Sequence, residues 1–180
     1  MKLTARNWLL LFVTIAIVLV IDQLTKGWIV QNLAPGDSRQ PIAALRDFFQ
    51  ITRSANTGAA FGLLSQAGDL FLVIAIVVVG AMIYFYPRLP LDAGLTRIAI
   101  GLICGGALGN AIDRLRYGHV VDFIHYQIPD VISNISNLAD HAIVLGVIIV
   151  LVDSWRLERP KSLAAETGTN SSPNNPETPL

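Results

Sequence analysis

Four apolar segments divide the chain, and stretches richer in polar residues separate them. The segments cover about residues 8–29, 69–86, 95–112 and 138–153. With their flanks, each reaches roughly the 17–25 residues that a helix needs to cross a bilayer. Trp8, Trp28 and Trp155 fall at segment ends, as aromatic residues of membrane interfaces do. The pattern therefore predicts four transmembrane helices.

The orientation of these helices follows from their number and from the basic residues around them. Lys2 and Arg6 precede the first segment as in a secretory signal peptide, but no small-residue cleavage motif follows, so we expect a retained helix. An even number of spans puts both termini on one side. Of the 13 Lys and Arg residues, seven then lie on that side and six on the other. The positive-inside rule favours cytoplasmic termini.

Two segments are then extracytoplasmic, at about residues 30–69 and 113–137. FFQITR in the first and HVVDFIHY in the second are rich in β-branched and aromatic residues, which predicts short strands at the membrane surface. The predicted fold is an all-α polytopic membrane protein with a small β-containing extracytoplasmic portion. Residues 1–159 form its single domain. Residues 160–180 are polar and rich in Pro, Asn and Ser, which predicts a disordered cytoplasmic tail.

Composition agrees with a membrane location and excludes several kinds of function. The chain is 53% hydrophobic and 14% charged, whereas soluble domains carry about 25% charged residues. Its formal net charge is +0 and it has no basic stripe, so we expect no nucleic-acid partner. The one cysteine, Cys104, lies within an apolar segment, and no Cys/His spacing indicates a metal site. We expect neither a metal nor a cofactor.

The conspicuous polar residues map to the extracytoplasmic ends of the predicted helices or to the segments between them. Ionisable groups at such depth are costly and usually functional. Asp22 and Lys26 are four residues apart, as are Asn110 and Arg114, so each pair shares one helix face. The sequence therefore predicts one shared polar site. Its candidate members are Asp22, Lys26, Asn56, Asn110, Asp113, Arg114, Asp122, Asn137 and Asp140.

Several of these groups also have a structural interpretation. Asp22 and Lys26 could form an ion pair within the first helix, and Asp113 and Arg114 could mark the surface end of the third helix. Asn137 could be the N-cap of the fourth helix, with Asp140 as an acid favoured by the dipole of that helix.

A stripe of glycines and one histidine also have two interpretations. Gly101, Gly105 and Gly109 repeat every four residues, which lets a neighbouring helix or a substrate helix approach closely. Gly105 is therefore a candidate substrate-binding or supporting residue. His141, beside Asp140, is interpreted as structural.

The candidate chemistry follows from which residue types are present. No serine stands in a G-x-S-x-G context and no H-E-x-x-H occurs, which leaves carboxylates, asparagines and basic residues. Two carboxyl groups held close together share a proton. The ionised one can then activate water while the protonated one donates to a carbonyl oxygen, which hydrolyses an amide. Asp122 and Asp140 are flanked by apolar residues rather than by a base, so we select them as the catalytic pair.

Four motifs resemble those of lipoprotein signal peptidases, also called signal peptidase II. They are DQLTK at 22–26, NTGAAF at 56–61, GGALGNAIDRLRYGHVVDF at 105–123 and NLAD at 137–140. The resemblance covers the whole chain except the tail. It implies an intramembrane aspartyl endopeptidase that removes the signal peptide from diacylglyceryl-modified prolipoproteins, cutting before the lipidated cysteine.

Carried over by position, the resemblance implies that Asp122 and Asp140 are catalytic. The other polar motif residues would support this pair or contact the substrate: Asp22, Lys26, Asn56, Asn110, Asp113, Arg114 and Asn137. The implied partners are prolipoprotein substrates and membrane lipids, for a protein that functions as a monomer. The implied location is the bacterial cytoplasmic (inner) membrane, with the active site toward the extracytoplasmic face.

One departure and one rival interpretation remain open. The run ISNIS at 132–136 stands where the family has an aromatic residue and a proline, and His141 stands where a small residue is common. Both leave the shape of the pocket wall open. The rival is a small channel, transporter or lipid-binding scaffold, whose polar residues would line a path. A path needs polar groups in both leaflets, and the second apolar segment has none.

Overall fold

In the part of the chain that the structure describes, the fold combines four long helices with a four-stranded antiparallel sheet. The computed structural model describes residues 5–58, 68–90, 93–129 and 131–167, with side chains described as far as residue 156. The elements in chain order are α1 (Ala5–Asn32), β1 (Ser38–Arg39), β2 (Phe49–Asn56), α2 (Gly68–Phe85), α3 (Gly94–Tyr117), β3 (Val120–Ile128), β4 (Ile132–Ser136) and α4 (Leu138–Thr167). All four helices are long and apolar enough to cross a membrane, as predicted.

Helix α3 is the central helix and packs against the other three. In the most apolar 18-residue stretch of α3, 56% of the residues are buried. The corresponding share is 22% in α1 and 11% in both α2 and α4. The outer faces of α1, α2 and α4 carry large exposed apolar side chains, among them Phe12, Val77 and Leu151. Such apolar faces suit contact with lipid. The helix backbone satisfies its own hydrogen bonds, so it needs no polar partner from the lipid.

The glycine stripe on α3 is covered by α1. A Cβ atom added at Gly101 would lie 2.6 Å from Cβ of Thr14, and one added at Gly105 would lie 2.7 Å from Cβ of Val18. Both distances are shorter than any real contact, so the two backbones approach closely only because these positions lack side chains. The structure thus supports the helix-packing interpretation of the stripe and leaves no room there for a substrate helix.

Helix α3 ends later than the sequence predicted. The apolar run stops at Ile112, but the helix continues to Tyr117 and is closed by Gly118, whose φ of 74° is left-handed. The Gly118 N–H donates to the carbonyl oxygen of Arg114 at 2.9 Å. Glycine accepts this conformation at little cost, which explains the stop. Asp113 and Arg114 therefore lie within the last turns of the helix, as expected of residues at its outer end.

The sheet has the strand order β1-β2-β3-β4, and every pair is antiparallel. Strands β2 and β3 correspond to the two predicted strands, and Ser54 pairs with Asp122 between them. Strand β4, formed by ISNIS, was not predicted. Arg53 on β2 donates to the carbonyl oxygens of Val30 and Leu33 at 3.1 and 2.8 Å. These bonds attach the sheet to the C-terminal end of α1 by satisfying carbonyls that a helix end leaves free.

Helix α4 extends past the predicted start of the tail at residue 160 and ends at Thr167. Residues 161–167, KSLAAET, include Lys, Leu, Ala and Glu, which favour helix. The remainder of the predicted tail, residues 168–180, lies outside the described residues.

Candidate active site

Asp122 lies on β3 and is only 2% exposed. Its Oδ2 accepts a hydrogen bond from Nδ2 of Asn56 at 2.8 Å, and its Oδ1 accepts one from Nδ2 of Asn137 at 2.6 Å. Burial raises the pKa of Asp122 to about 6; the charge of Asp140 acts in the same direction, while the two amide hydrogen bonds oppose it. Near neutral pH this carboxyl can therefore take up or release a proton.

Asp140 lies in the first turn of α4 and is held by the residue that caps that helix. The side-chain oxygen of Asn137 accepts a hydrogen bond from the backbone N–H of Asp140 at 3.0 Å. In return, Oδ2 of Asp140 accepts the backbone N–H of Asn137 at 3.4 Å. This reciprocal pattern is that of a capping box. The structural interpretation of the two residues is therefore correct, and the same bonds orient the Asp140 carboxylate.

A pair of asparagine amides links the two acids. Nδ2 of Asn137 reaches Oδ1 of Asp122 at 2.6 Å and Oδ1 of Asn110 at 3.2 Å. Nδ2 of Asn110 in turn donates to Oδ1 of Asp140 at 2.7 Å. A primary amide has two donor hydrogens and one acceptor oxygen, so each amide can be held in one orientation by its partners. Asp122 and Asp140 are thus connected through two side chains rather than placed together by chance.

Lys26 occupies the buried centre of the polar cluster. Its Nζ lies 2.9 Å from Oδ2 of Asp22 and 2.8 Å from Oδ2 of Asp113. It also donates to Oδ1 of Asn110 at 2.9 Å. An ammonium group has three donor hydrogens, so this set saturates it. Because its contact with Asn110 fixes that amide, Lys26 orients the Nδ2 group that meets Asp140.

The two carboxylates beside Lys26 also hold other elements in position. Oδ1 of Asp22 accepts the backbone N–H of Ala139 at 3.1 Å, which joins α1 to the start of α4. Oδ2 of Asp113 accepts the backbone N–H of Val121 at 3.1 Å, next to Asp122. Gly109 permits the first arrangement, because an added Cβ would lie 2.6 Å from Oδ2 of Asp22. Asp22 and Asp113 therefore each fix the backbone of the residue immediately before one of the two acids.

Gln23 belongs to this cluster and was missed in the sequence. Its Nε2 lies 2.9 Å from Oδ1 of Asp113, 3.2 Å from Oδ2 of Asp22 and 3.3 Å from the Gly109 carbonyl oxygen. The available signal was its position between Asp22 and Lys26 within the DQLTK motif. Gln23 bridges α1 and α3 and supplies the donor that Oδ1 of Asp113 needs once Oδ2 is committed to Lys26.

Two neighbouring cavities lie beside the acids. The Asp140 cavity has a volume of about 510 Å³ and is lined by Asn56, Tyr126, Asn134, Ile135, Ser136, Asp140, His141, Val144, Leu145 and Ile148. The Asp122 cavity has a volume of about 560 Å³ and is lined by Ser54, Ala55, Asn56, Thr57, Gly58, Phe71, Arg114, Asp122, Asn134 and Ile135. Asn56, Asn134 and Ile135 border both. A peptide lying across these three residues would reach both carboxyl groups.

The unusual residues noted in the sequence form part of the cavity wall. Asn134 and Ile135 come from the ISNIS run, which pairs with β3 as strand β4. His141 contacts the carbonyl oxygen of Asn137 through Nδ1 at 2.6 Å and the Tyr126 hydroxyl through Nε2 at 3.3 Å. If Nδ1 carries the hydrogen, both bonds are satisfied by the neutral imidazole. His141 thus joins α4 to β3 at the mouth of the site, consistent with its structural interpretation.

Arg114 brings a positive charge to the Asp122 cavity. It donates from Nη1 to the carbonyl oxygen of Asn110 at 3.2 Å and lies over the ring of Phe71, with 5.4 Å from its guanidinium carbon to the ring centroid. Its charge interacts with those of Asp140, Asp113 and Asp122. Arg114 can therefore balance negative charge at the acids or meet a substrate carbonyl.

Of the predicted site residues, all the polar ones converge here and Gly105 does not. Gly105 faces α1 and borders neither cavity. The second motif is described only in part, because residues 59–61 lie outside the described ranges. Within the described ranges, no group of three or more His, Cys, Asp or Glu side chains could hold a metal ion.

The chain is similar to known proteins over most of its length. A family model described as "Signal peptidase (SPase) II" matches residues 14–156. The lipoprotein signal peptidase of Staphylococcus carnosus (strain TM300) is 43% identical over 142 residues, which cover 79% of this chain and 87% of that protein. The lipoprotein signal peptidase of Moorella thermoacetica (strain ATCC 39073 / JCM 9320) is 44% identical over 144 residues, covering 80% and 89% of the two chains.

The chain is also similar to solved structures. A bacterial membrane enzyme solved by the in meso method at 2.3 Å resolution has a TM-score of 0.70 and 31% identity to this chain, and the match covers 97% of this chain and 98% of that one. A second, at 1.9 Å resolution, has a TM-score of 0.70 and 35% identity over 84% and 94% of the chains. Because the family match and these relatives each span most of the sequence, the chain belongs to the signal peptidase II family of aspartic-type proteases, which remove signal peptides from prolipoproteins.

Proposed function

We propose that Asp122 and Asp140 are the catalytic pair of this protease. The observation that carries the proposal is the amide link between them, in which Asn137 contacts Asp122 and Asn110 contacts Asp140. Both acids border cavities large enough for a peptide segment. The alternative of a channel, transporter or lipid-binding scaffold is not favoured, because the chain belongs to a protease family.

In the proposed reaction, Asp122 begins protonated and Asp140 begins ionised. The raised pKa of Asp122, about 6, supports this assignment. Asp140 removes a proton from water while Asp122 gives its proton to the carbonyl oxygen of the scissile peptide bond, and the hydroxide adds to the carbonyl carbon. The diol intermediate then collapses. Asp140 passes its proton to the leaving nitrogen, and Asp122 recovers its own as the new carboxyl group forms.

The other polar residues hold this pair in position and stabilise charge. Lys26 places one positive charge between the buried carboxylates of Asp22 and Asp113, which stabilises both of them in the interior. Asn56 and Asn137 orient Asp122 through both of its oxygens. These bonds reduce the reorganisation needed during the reaction, which is the main way that a fixed polar site lowers a barrier.

The proposed substrate is a diacylglyceryl-modified prolipoprotein, cut just before the lipidated cysteine. Val144, Leu145 and Ile148 give the Asp140 cavity an apolar wall on α4, directly beside the acid. Val144 and Leu145 are about half exposed, so lipid chains can lie against them. Each buried CH₂ group contributes about 0.8 kcal/mol to membrane anchoring. The acyl chains would therefore keep the substrate at the membrane surface while the peptide enters the cavities.

We also propose that both termini are cytoplasmic and that the aspartates face the extracytoplasmic side of the bacterial membrane. Four spans put the two termini on the same side of the membrane. The aspartates lie near the C-terminal ends of α1 and α3, which is the opposite side from the N-terminus. We further propose function as a monomer, since the amides that hold Asp122 and Asp140 in position belong to the same chain as the two acids.

The test of this function is direct cleavage. The purified chain is incubated with a diacylglyceryl-modified signal peptide and, in parallel, with the same peptide lacking lipid. We expect a product cut before the lipidated cysteine, and a rate at least tenfold lower without lipid because anchoring is lost. Equal rates on the two peptides would contradict the proposed substrate class, and no cleavage of either would contradict the proposed activity.

A further inference from the structure

Arg97 is a buried cation at the end of the bundle away from the aspartates. It lies in the first turns of α3 and is 1% exposed. Asp113 lies sixteen positions further along the same helix, which corresponds to roughly 24 Å at 1.5 Å per residue. The function proposed above does not use this residue.

The guanidinium of Arg97 is only partly satisfied. Its Nη2 donates to the carbonyl oxygens of Leu89 and Pro90, both at 3.1 Å, and its guanidinium carbon lies 4.9 Å from the centroid of the Tyr86 ring. Nε and Nη1 are buried and have no hydrogen-bond partner in the described part of the chain. Leaving donors of a buried charge unpaired is costly, so this arrangement suits a group that would accept from Nε and Nη1.

A cavity of about 520 Å³ adjoins this guanidinium, between the N-terminal parts of α1 and α3. Its lining residues are Arg6, Asn7, Leu9, Leu10, Val13, Gly94 and Arg97. The lining therefore holds two cations and, among the described residues, no carboxylate. Asp153, a nearby acid on α4, is engaged with the Thr96 hydroxyl at 2.5 Å. The cavity is electropositive and suited to an anion.

The apolar part of the cavity identifies the kind of anion. Leu9 is 63% exposed and Val13 is 44% exposed, on a helix that is apolar enough to cross a membrane. A free inorganic anion would gain nothing from these side chains, whereas a lipid would lay an acyl chain along them. Arginine is also the residue best suited to bind a phosphate through two parallel hydrogen bonds.

We propose that this cavity binds one anionic phospholipid, with the headgroup phosphate at Arg97 and Arg6 and an acyl chain along Leu9 and Val13. The phosphate oxygens accept from Nε and Nη1 of Arg97, for which the described residues supply no acceptor. The bound lipid would hold the start of α1 against the start of α3.

Lipid binding to the full-length chain in a zwitterionic detergent tests the proposal, with native mass spectrometry as the readout. Phosphatidylglycerol is compared with phosphatidylcholine of the same acyl chains. We expect a preference for phosphatidylglycerol that Arg97→Gln weakens about tenfold, the effect of losing one charge-assisted contact. Arg88→Gln is the matched control, because Arg88 is exposed near the same end and outside the cavity; it should leave binding unchanged.

A second variant keeps the test decisive if Arg97→Gln does not fold. A Cβ atom added at Gly94 meets nothing within 4 Å, so Gly94→Phe fills the cavity and leaves Arg97 in place. It should also weaken phosphatidylglycerol binding about tenfold. The proposal is overturned if the wild-type chain binds the two lipids equally, if Gly94→Phe binds phosphatidylglycerol normally, or if millimolar inorganic phosphate displaces the lipid completely.

Discussion

The side-chain amide nitrogen of Asn137 lies 2.6 Å from Oδ1 of Asp122. The same side chain accepts the backbone N–H of Asp140 and so caps α4. One residue therefore starts the helix that carries the second acid and holds the first acid on its strand. The bonds that cap α4 also orient the candidate site, so the structural interpretation of NLAD is compatible with the proposed catalytic one.

Replacing either acid by asparagine should abolish cleavage and leave the fold nearly intact, because the two side chains are close in shape. We expect Asp122→Asn and Asp140→Asn each to lower kcat by at least a thousandfold. The double variant should be little worse than either single one, since residues that act as one unit are not additive. Peptide cleavage followed by mass spectrometry measures this. Asp47→Asn, at an exposed acid paired with Arg46, is the control that should retain full activity.

Asn137 allows its two roles to be separated. Asn137→Ser keeps a good N-cap but is too short to bridge to Asp122, whereas Asn137→Ala loses both functions. We expect Asn137→Ala to reduce the free energy of unfolding by about 1 kcal/mol and Asn137→Ser to reduce it by less. Both should lose most of their cleavage activity. Thermal unfolding and cleavage assays on the same preparations decide the point, and a fully active Asn137→Ser would show that the bridge is not needed.

The raised pKa of Asp122 predicts two pH effects. Its usual value is 3.8 and its value here is about 6, so between these limits the folded state holds a proton that the unfolded state releases. Stability from this group is therefore greatest below pH 3.8 and falls as the pH rises to about 6. If the protonated acid is the active form, kcat/KM also falls as the pH rises past about 6.

Both pH effects can be measured on detergent-solubilised protein. Melting temperature against pH should show the decline in the wild type and a weaker slope in Asp122→Asn, which cannot titrate. A kcat/KM that rises steadily from pH 6 to 8 would assign the starting proton to the other acid.

The sequence predicted the spans and the polar site because both leave local signals. Apolar runs are continuous along the chain, and charged residues within them are conspicuous. The signals for Gln23 and β4 were weaker. Gln23 acquires its role only through Asp113 on another helix, and the ISNIS run becomes a strand only by pairing with β3. Helix α3 extends past the apolar run, because hydropathy falls after Ile112 whereas the backbone hydrogen bonds continue until Gly118.

The glycine stripe should govern folding rather than substrate contact. Gly105→Leu forces a side chain into Val18 of α1, and overpacking of this kind costs about 1–3 kcal/mol or more. We expect less folded protein and a loss of cleavage in proportion to it. Gly80→Leu is the matched control, because a Cβ added at Gly80 meets nothing within 4 Å. Normal folding with lost activity in Gly105→Leu would instead indicate a substrate contact on this face.

Lys26 should be the most sensitive single residue for stability. It is 1% exposed and lies between Asp22 and Asp113, which are both fully buried. Lys26→Met leaves two buried carboxylates without a counter-charge, and breaking a buried pair in this way costs about 3–5 kcal/mol. Lys26→Arg keeps the charge but changes its shape, so it should lose less stability.

The coupling between Lys26 and its partners can be measured by a double-mutant cycle. Thermal unfolding is compared for Lys26→Met, Asp22→Asn and the variant that carries both substitutions. Because Asp22→Asn removes one of the stranded charges, the double variant should be more stable than the sum of the single effects predicts. Simple additivity would mean that the ammonium group does not stabilise Asp22. In that case its main role would lie with Asp113 and with Asn110, the amide that holds Asp140.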